Sequence, residues 1–202
     1  MSEKSPFGAS RSDLWAVLIV GGVIVVSTLV GLVVRLVEIV PNRDVPVTVQ
    51  LMGERLALPL GPNGEPLSGE VSTATIQVSD MPVATYVSAL GAAIVPALAT
   101  IGVVVCVMVL CRNLMAGRFF SRANTRLVSA VSVLIALGWL ISFLFSTMAS
   151  NGALALVADR ELLESVQFRV DWVAVLAAMG VGALASAFHA GERMQRDTEG
   201  LV

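Results

Sequence analysis

Residues 14–34 form the sequence LWAVLIVGGVIVVSTLVGLVV, which contains no charged side chain. A helix rises about 1.5 Å per residue, so roughly 20 apolar residues cross the hydrocarbon core of a bilayer. The Val, Ile and Leu residues of this stretch favour insertion by about 4–8 kcal/mol in total. The stretch is longer than the apolar core of a signal peptide and lacks a clear small-residue cleavage site after it. We therefore expect it to remain in the protein as a membrane-spanning helix.

Three further uncharged stretches of similar character follow along the chain. The predicted spans are residues 14–38, 83–111, 126–148 and 172–190. Apolar residues make up 56% of the chain and charged residues 14%, whereas soluble domains carry about 25% charged residues. The sequence thus predicts an all-α integral membrane protein, a four-helix transmembrane bundle whose main contact is the lipid bilayer.

The orientation of the spans follows from the arginines of the second connection. Four arginines and no acidic residue occupy it: Arg112, Arg118, Arg122 and Arg126. Residues 41–84 carry two arginines against five acidic residues, and residues 149–171 carry two against four. Positive residues stay on the cytoplasmic side of a membrane. We therefore expect the loop 112–125 and the tails 1–13 and 191–202 in the cytoplasm of a cell-membrane protein, with segments 41–82 and 149–171 outside.

The long outer segment carries three runs with apolar residues at every second position. These residues are Val45, Val47, Val49 and Leu51, then Leu56, Leu58 and Leu60, then Ala74, Ile76 and Val78. Such alternation is typical of half-buried strands, and the Gly- and Pro-rich residues 61–66 indicate a turn. We predict a small antiparallel sheet of two or three strands between the first and second helices. In the other outer segment, residues 159–166 form either a short amphipathic helix or an early extension of the fourth span.

Small residues recur at every fourth position of the fourth span, at Ala178, Gly182, Ser186 and Ala190. Because lipid is as apolar as leucine, helices in a membrane associate through such small residues. We expect this face to pack inside the chain, with homodimerisation as the alternative. Pro96 interrupts the second span and is a candidate hinge, since proline removes a helical hydrogen bond and kinks the helix.

The sequence does not indicate an enzyme, a metal site or a cofactor. The single histidine, His189, and the two cysteines, Cys106 and Cys111, do not form a metal-binding pattern. The arginine-rich loop is too short for a nucleic-acid module. No charge lies at the centre of a span, which argues against a proton-coupled transporter. Arg35 and Glu38, three residues apart, either pair locally or help to hold a ligand or partner.

Two short segments carry a family resemblance. They are residues 117–127, GRFFSRANTRL, and residues 190–202, AGERMQRDTEGLV. Both resemble the bacterial membrane-protein family catalogued as domain of unknown function 2975. The resemblance implies four spans over nearly the whole chain and no catalytic residues. It also implies that some relatives are encoded beside a small helix-turn-helix regulator.

The arginine-rich loop is the main candidate for a contact surface. It comprises Arg112, Arg118, Phe119, Phe120, Arg122 and Arg126. Ser121 can cap the helix that follows, which favours a stable helical hairpin with no further role. The alternative is a docking surface for a cytoplasmic regulator or another membrane subunit. We expect a non-enzymatic sensing, regulatory or accessory protein. The alternative is a small transporter or channel component, with Ser88, Thr100 and Ser186 as its polar lining.

Overall fold

The computed structural model describes residues 11–58, 67–118, 121–157 and 172–199. In order, the elements are α1 (Arg11–Ile39), β1 (Val45–Leu58), β2 (Leu67–Val78), α2 (Val83–Met115), α3 (Arg122–Val157) and α4 (Trp172–Glu199). Each of the four helices contains a segment long and apolar enough to cross a membrane. The expectations of a mostly helical chain and of a small sheet between the first two helices are thus confirmed.

All four helices extend beyond their predicted spans, and α1 runs from Arg11 to Ile39. The helix α2 ends at Met115, α3 runs from Arg122 to Val157, and α4 runs to Glu199. The first part of the predicted outer segment 149–171 is therefore helical, as is most of the predicted tail 191–202. Residues 149–157 contain no proline or charge to end α3, and residues 192–196 are good helix formers despite their polarity. The predicted turn at 61–66 and the predicted amphipathic helix at 159–166 lie outside the described residues.

The sheet has two antiparallel strands. Their register runs from Val45 opposite Val78 to Leu58 opposite Leu67, with a shift between Gln50 and Glu54. The shift falls where the first alternating run ends, and the second run continues in the same strand β1 as far as Leu58. Leu60 lies outside the described residues. A bulge of this kind inserts residues into one strand without ending the pairing.

The contacts divide the chain into two compact units. The first comprises Met1–Leu32, Val95–Leu140 and Asp171–Val202, and the second comprises Val33–Ile94 and Ile141–Val170. The core of the second unit contains one face of the sheet and small or apolar helical residues: Ile39, Val45, Val47, Val49, Val78, Met81, Ala89, Ala149, Ala153 and Leu154. A two-stranded sheet is marginal by itself, and here the helices complete its core.

Large apolar side chains cover the surface of α1. Ile19, Val26 and Val37 are 66%, 61% and 67% exposed. In water a surface of this kind would promote association. In a bilayer such a surface can remain in contact with lipid, because the acyl chains of the lipid are equally apolar.

Candidate functional site

The turn between α2 and α3 ends one helix with a glycine in a left-handed conformation. We call residues 112–126 the arginine hairpin. Gly117 has φ +74°, its N–H donates to the Leu114 carbonyl (3.0 Å), and the Arg118 N–H donates to the Asn113 carbonyl (3.0 Å). This pattern is a Schellman motif, which satisfies the last carbonyls of α2.

A buried asparagine closes the arginine hairpin from the other side. Asn124 has no exposed surface. Its Oδ1 accepts a hydrogen bond from Nδ2 of Asn113 (2.8 Å), and its Nδ2 donates to the Arg118 carbonyl (2.5 Å). Its backbone N–H donates to Oγ of Ser121 (3.3 Å), which confirms Ser121 as the cap of α3. The turn is thus fixed by side chains from both helices, and sequence reasoning found the Ser121 cap but missed the Asn113–Asn124 bond.

The arginines of the hairpin are on its surface. Arg112, Arg118, Arg122 and Arg126 are all exposed, and Arg122 also has an interaction within the chain. Arg112 lies in the last turn of α2, where a cation suits the helix dipole, but Arg122 lies in the first turn of α3, where it does not. Arg126 lies in the next turn of α3, where the effect of the dipole is small. Phe119 and Phe120 lie outside the described residues.

The small residues of α4 divide into two pairs. Oγ of Ser132 on α3 donates to the Ala178 carbonyl (3.0 Å), and a Cβ added to Gly182 would lie 3.3 Å from the same Oγ. Ser186 and Ala190 are exposed, and the Ser186 hydroxyl donates to the Gly182 carbonyl of its own helix (3.2 Å). The first pair thus contacts α3. Homodimerisation, the alternative suggested for this face, stays a prediction.

The helix α2 is continuous across Pro96, which is exposed. The division of α2 between the two units falls at Val95, the preceding residue. The hinge at Pro96 stays a prediction. Of the residues suggested as a polar lining, Ser88 is buried and its hydroxyl donates to the Ala84 carbonyl (2.7 Å), while Thr100 is exposed.

Asparagine and aspartate residues connect the sheet to its neighbouring helices. The Asn42 side chain accepts from the Met81 N–H (3.0 Å) and donates to the Met81 carbonyl (3.3 Å). The Asp80 N–H donates to the Asn42 carbonyl (3.0 Å). Asn42, Asp44 and Asp80 all have positive φ, between 49° and 54°, a conformation that Asn and Asp adopt more readily than other side chains. These hydrogen bonds hold the segment before β1 and the segment after β2 side by side at this end of the sheet.

Arg35 links the end of α1 to the first strand. Its Nη1 forms a salt bridge with Oε2 of Glu38 (2.8 Å), which confirms the local pairing that the sequence suggested. Its Nη2 donates to the Pro46 carbonyl of β1 (2.6 Å). The second bond, which the sequence did not predict, fixes the guanidinium against the sheet.

Beside Arg35 the second unit contains a cavity of about 240 Å³. Arg35, Thr48 and Ser146 give it polar groups, and the remaining lining residues are small and apolar: Val47, Ala89, Ala92, Ala93 and Ala149. Thr48 and Ser146 are exposed, so the cavity opens to the surroundings. No sequence pattern indicates this cavity, since its lining residues come from four separate elements.

Among the residues that the structure describes, no three His, Cys, Asp or Glu side chains are grouped so that they could hold a metal ion. Comparisons of the chain with protein-family models, with curated proteins and with solved structures give no match.

Proposed function

We propose that the chain is a non-enzymatic, multi-pass protein of the bacterial cell membrane that acts through protein contacts, in a sensing, regulatory or accessory role. Its termini and the arginine hairpin would lie in the cytoplasm and the sheet outside it. The bias of arginine along the sequence supports this orientation. The segments 117–127 and 190–202, on which the resemblance to the family catalogued as domain of unknown function 2975 is based, carry no catalytic pattern, and a role without catalysis is proposed on that basis.

The arginine hairpin carries the proposal. Its turn is held by the buried Asn124 and by the bonds around Gly117, so the exposed arginines are presented by a rigid support. Rigid presentation reduces the entropy lost on binding. Arg118 and Arg126 are exposed, so their guanidinium groups can reach a partner. Arginine forms bidentate bonds with carboxylates, so the partner that fits is a cytoplasmic regulator with an acidic surface.

Charge reversal tests the proposal in native membranes. We expect the wild-type chain to capture a cytoplasmic protein with an acidic surface, and the Arg118→Glu/Arg126→Glu variant to lose it. The Arg118→Lys/Arg126→Lys variant should recover part of the binding, because the charge returns without the bidentate geometry. Cross-linking followed by affinity purification and mass spectrometry measures each set of partners.

Two controls separate a contact surface from an effect on membrane insertion. The Arg193→Glu variant reverses an exposed arginine on α4 and should leave the captured protein unchanged. The topology of the Arg118→Glu/Arg126→Glu variant is measured in parallel, since lost arginines can invert a membrane protein. Identical partners for the wild type and a correctly oriented charge-reversal variant would refute the docking role.

A further inference from the structure

We infer that the cavity beside Arg35 is a binding site for an organic oxyanion, a carboxylate or phosphate attached to a small apolar group. The inference goes beyond the contacts of the arginine hairpin and does not depend on them. It would give the second unit a ligand of its own, recognised by charge at one side of the cavity and by apolar contact at the other.

The guanidinium of Arg35 supplies the charge. A guanidinium has five N–H donors in a planar fork, and the bonds to Glu38 and Pro46 use one donor each. These bonds hold the group in place while leaving further donors for a ligand. A carboxylate or phosphate matches this geometry, because two of its oxygens can accept parallel hydrogen bonds.

The walls of the cavity suit a short apolar group next to the oxyanion. Four of its eight lining residues are alanines, and their small side chains leave the space open. The hydroxyls of Thr48 and Ser146 add hydrogen-bonding groups at exposed positions. Water alone would find few partners along the alanine wall, whereas an apolar group would gain contact there.

The size of the cavity limits the ligand. Its volume of about 240 Å³ is below the roughly 300–1,000 Å³ of pockets that enclose drug-sized molecules. It therefore accommodates a headgroup or a small acid rather than a complete lipid. Arg35 lies about one turn before the end of α1 at Ile39, and the end of a spanning helix lies near the headgroup region. The oxyanion can thus come from a membrane amphiphile or from a water-soluble acid.

A purely structural role for Arg35, as a link between α1 and β1, makes different predictions. If that were its only role, filling the cavity would not affect the binding of an anion. Removal of Glu38 would also not improve binding. With a bound oxyanion, the loss of the Glu38 carboxylate removes a repelling charge and frees one guanidinium donor.

Calorimetric titration of the purified full chain in phosphatidylcholine nanodiscs tests the inference. The probes are dodecyl phosphate as the amphiphile and ethyl phosphate as the soluble acid, with empty nanodiscs subtracted for partitioning. We expect saturable binding of one or both probes by the wild type. Binding of dodecyl phosphate alone assigns the site to a membrane amphiphile, and binding of ethyl phosphate as well assigns it to a soluble acid.

The variants give the decisive comparisons. Arg35→Gln should weaken binding about tenfold or more, because the ligand loses its charge-assisted hydrogen bonds to the guanidinium. Ala92→Leu, which fills the cavity and keeps the charge, should weaken it similarly. Glu38→Gln should tighten it roughly two- to fivefold. The exposed Arg43 provides the matched control, and Arg43→Gln should bind as the wild type does.

Two results would overturn the inference: no saturable binding of either probe by the wild type, or equal binding by the wild type and the Ala92→Leu variant. If Arg35→Gln does not fold, Ala92→Leu and Glu38→Gln still test the site. Arg118→Glu/Arg126→Glu should bind the probes normally. A failure of the arginine hairpin as a docking surface is therefore distinguishable from a failure of this site.

Discussion

Asn124 is polar, completely buried and bonded through both atoms of its side-chain amide. A buried polar group without a hydrogen-bond partner lowers the stability of the fold by about 1–3 kcal/mol. Loss of the Asn124 amide would therefore leave its two partners without their hydrogen bonds. Asn113 comes from the end of α2 and Arg118 from the turn itself. One side chain thus connects the end of a helix, the turn and the beginning of the next helix.

At this position we expect Asn124→Ala to lower the free energy of unfolding by about 1–3 kcal/mol, because the Arg118 carbonyl and the Asn113 amide lose their partner. Equilibrium unfolding in mild detergent micelles measures the change. Arg126→Ala, an exposed substitution two residues further along α3, should change stability by less than about 0.5 kcal/mol. Equal stability of the Asn124→Ala variant and the wild type would mean that the amide bonds do not support the turn.

Gly152 gives a second prediction at the residue scale. A Cβ at this position would overlap the side chain of Thr85, which is itself buried. We expect Gly152→Ala to destabilise the protein by about 1–3 kcal/mol, the typical cost of overpacking. The same substitution at Gly31 meets nothing within 4 Å and should not destabilise. Thermal unfolding of both variants, followed by circular dichroism, compares them, and similar midpoints would contradict the close contact.

At the scale of the element, the sheet depends on one face of β1. Val45, Val47 and Val49 are buried, with at most 5% of their surface exposed, and belong to the core of the second unit. Thr75 on β2 is exposed and pairs with Thr48. The period of two that predicted the strand also separates the core residues from the exposed ones.

We expect Val49→Asp to detach the sheet from the core without unfolding the helices. The free energy of burying a carboxylate without a partner is too unfavourable for the side chain to stay in this core. Limited proteolysis should then cut within residues 45–78, while far-ultraviolet circular dichroism remains helical. Thr75→Asp should keep the protection of the wild type. Protease resistance of the Val49→Asp variant would show that the valine face does not hold the sheet in place.

The elements also show which features a sequence can predict. The helices followed from uncharged stretches of hydrocarbon length, and the strands followed from alternation at positions such as Val47 and Ile76. The end of α3 at Val157 was not predicted, because the uncharged apolar stretch that indicated the helix is interrupted by polar residues before the helix ends. The Asn113–Asn124 bond and the cavity beside Arg35 did not follow either, since each joins residues that only the folded chain brings together.

On the scale of the whole molecule, the orientation in the membrane is open to direct measurement. In a background with Cys106→Ala and Cys111→Ala, a single cysteine is introduced by Ser72→Cys on β2 or by Ala123→Cys on the arginine hairpin. Both positions are exposed. We expect an impermeant maleimide to label the Ser72→Cys variant in intact cells and the Ala123→Cys variant only after permeabilisation. The reverse pattern would invert the proposed topology and move the docking surface out of the cytoplasm.

The hydrogen bonds described above for the arginine hairpin connect residues close together in the chain. They lie between Arg112 and Thr125, whereas the bond between Ser132 and Ala178 joins residues 46 positions apart. Contacts between near neighbours form fastest, and chains begin to fold during synthesis. The turn can therefore close before α4 has been made, so the ends of α2 and α3 that flank the turn would already be joined when the last helix is added.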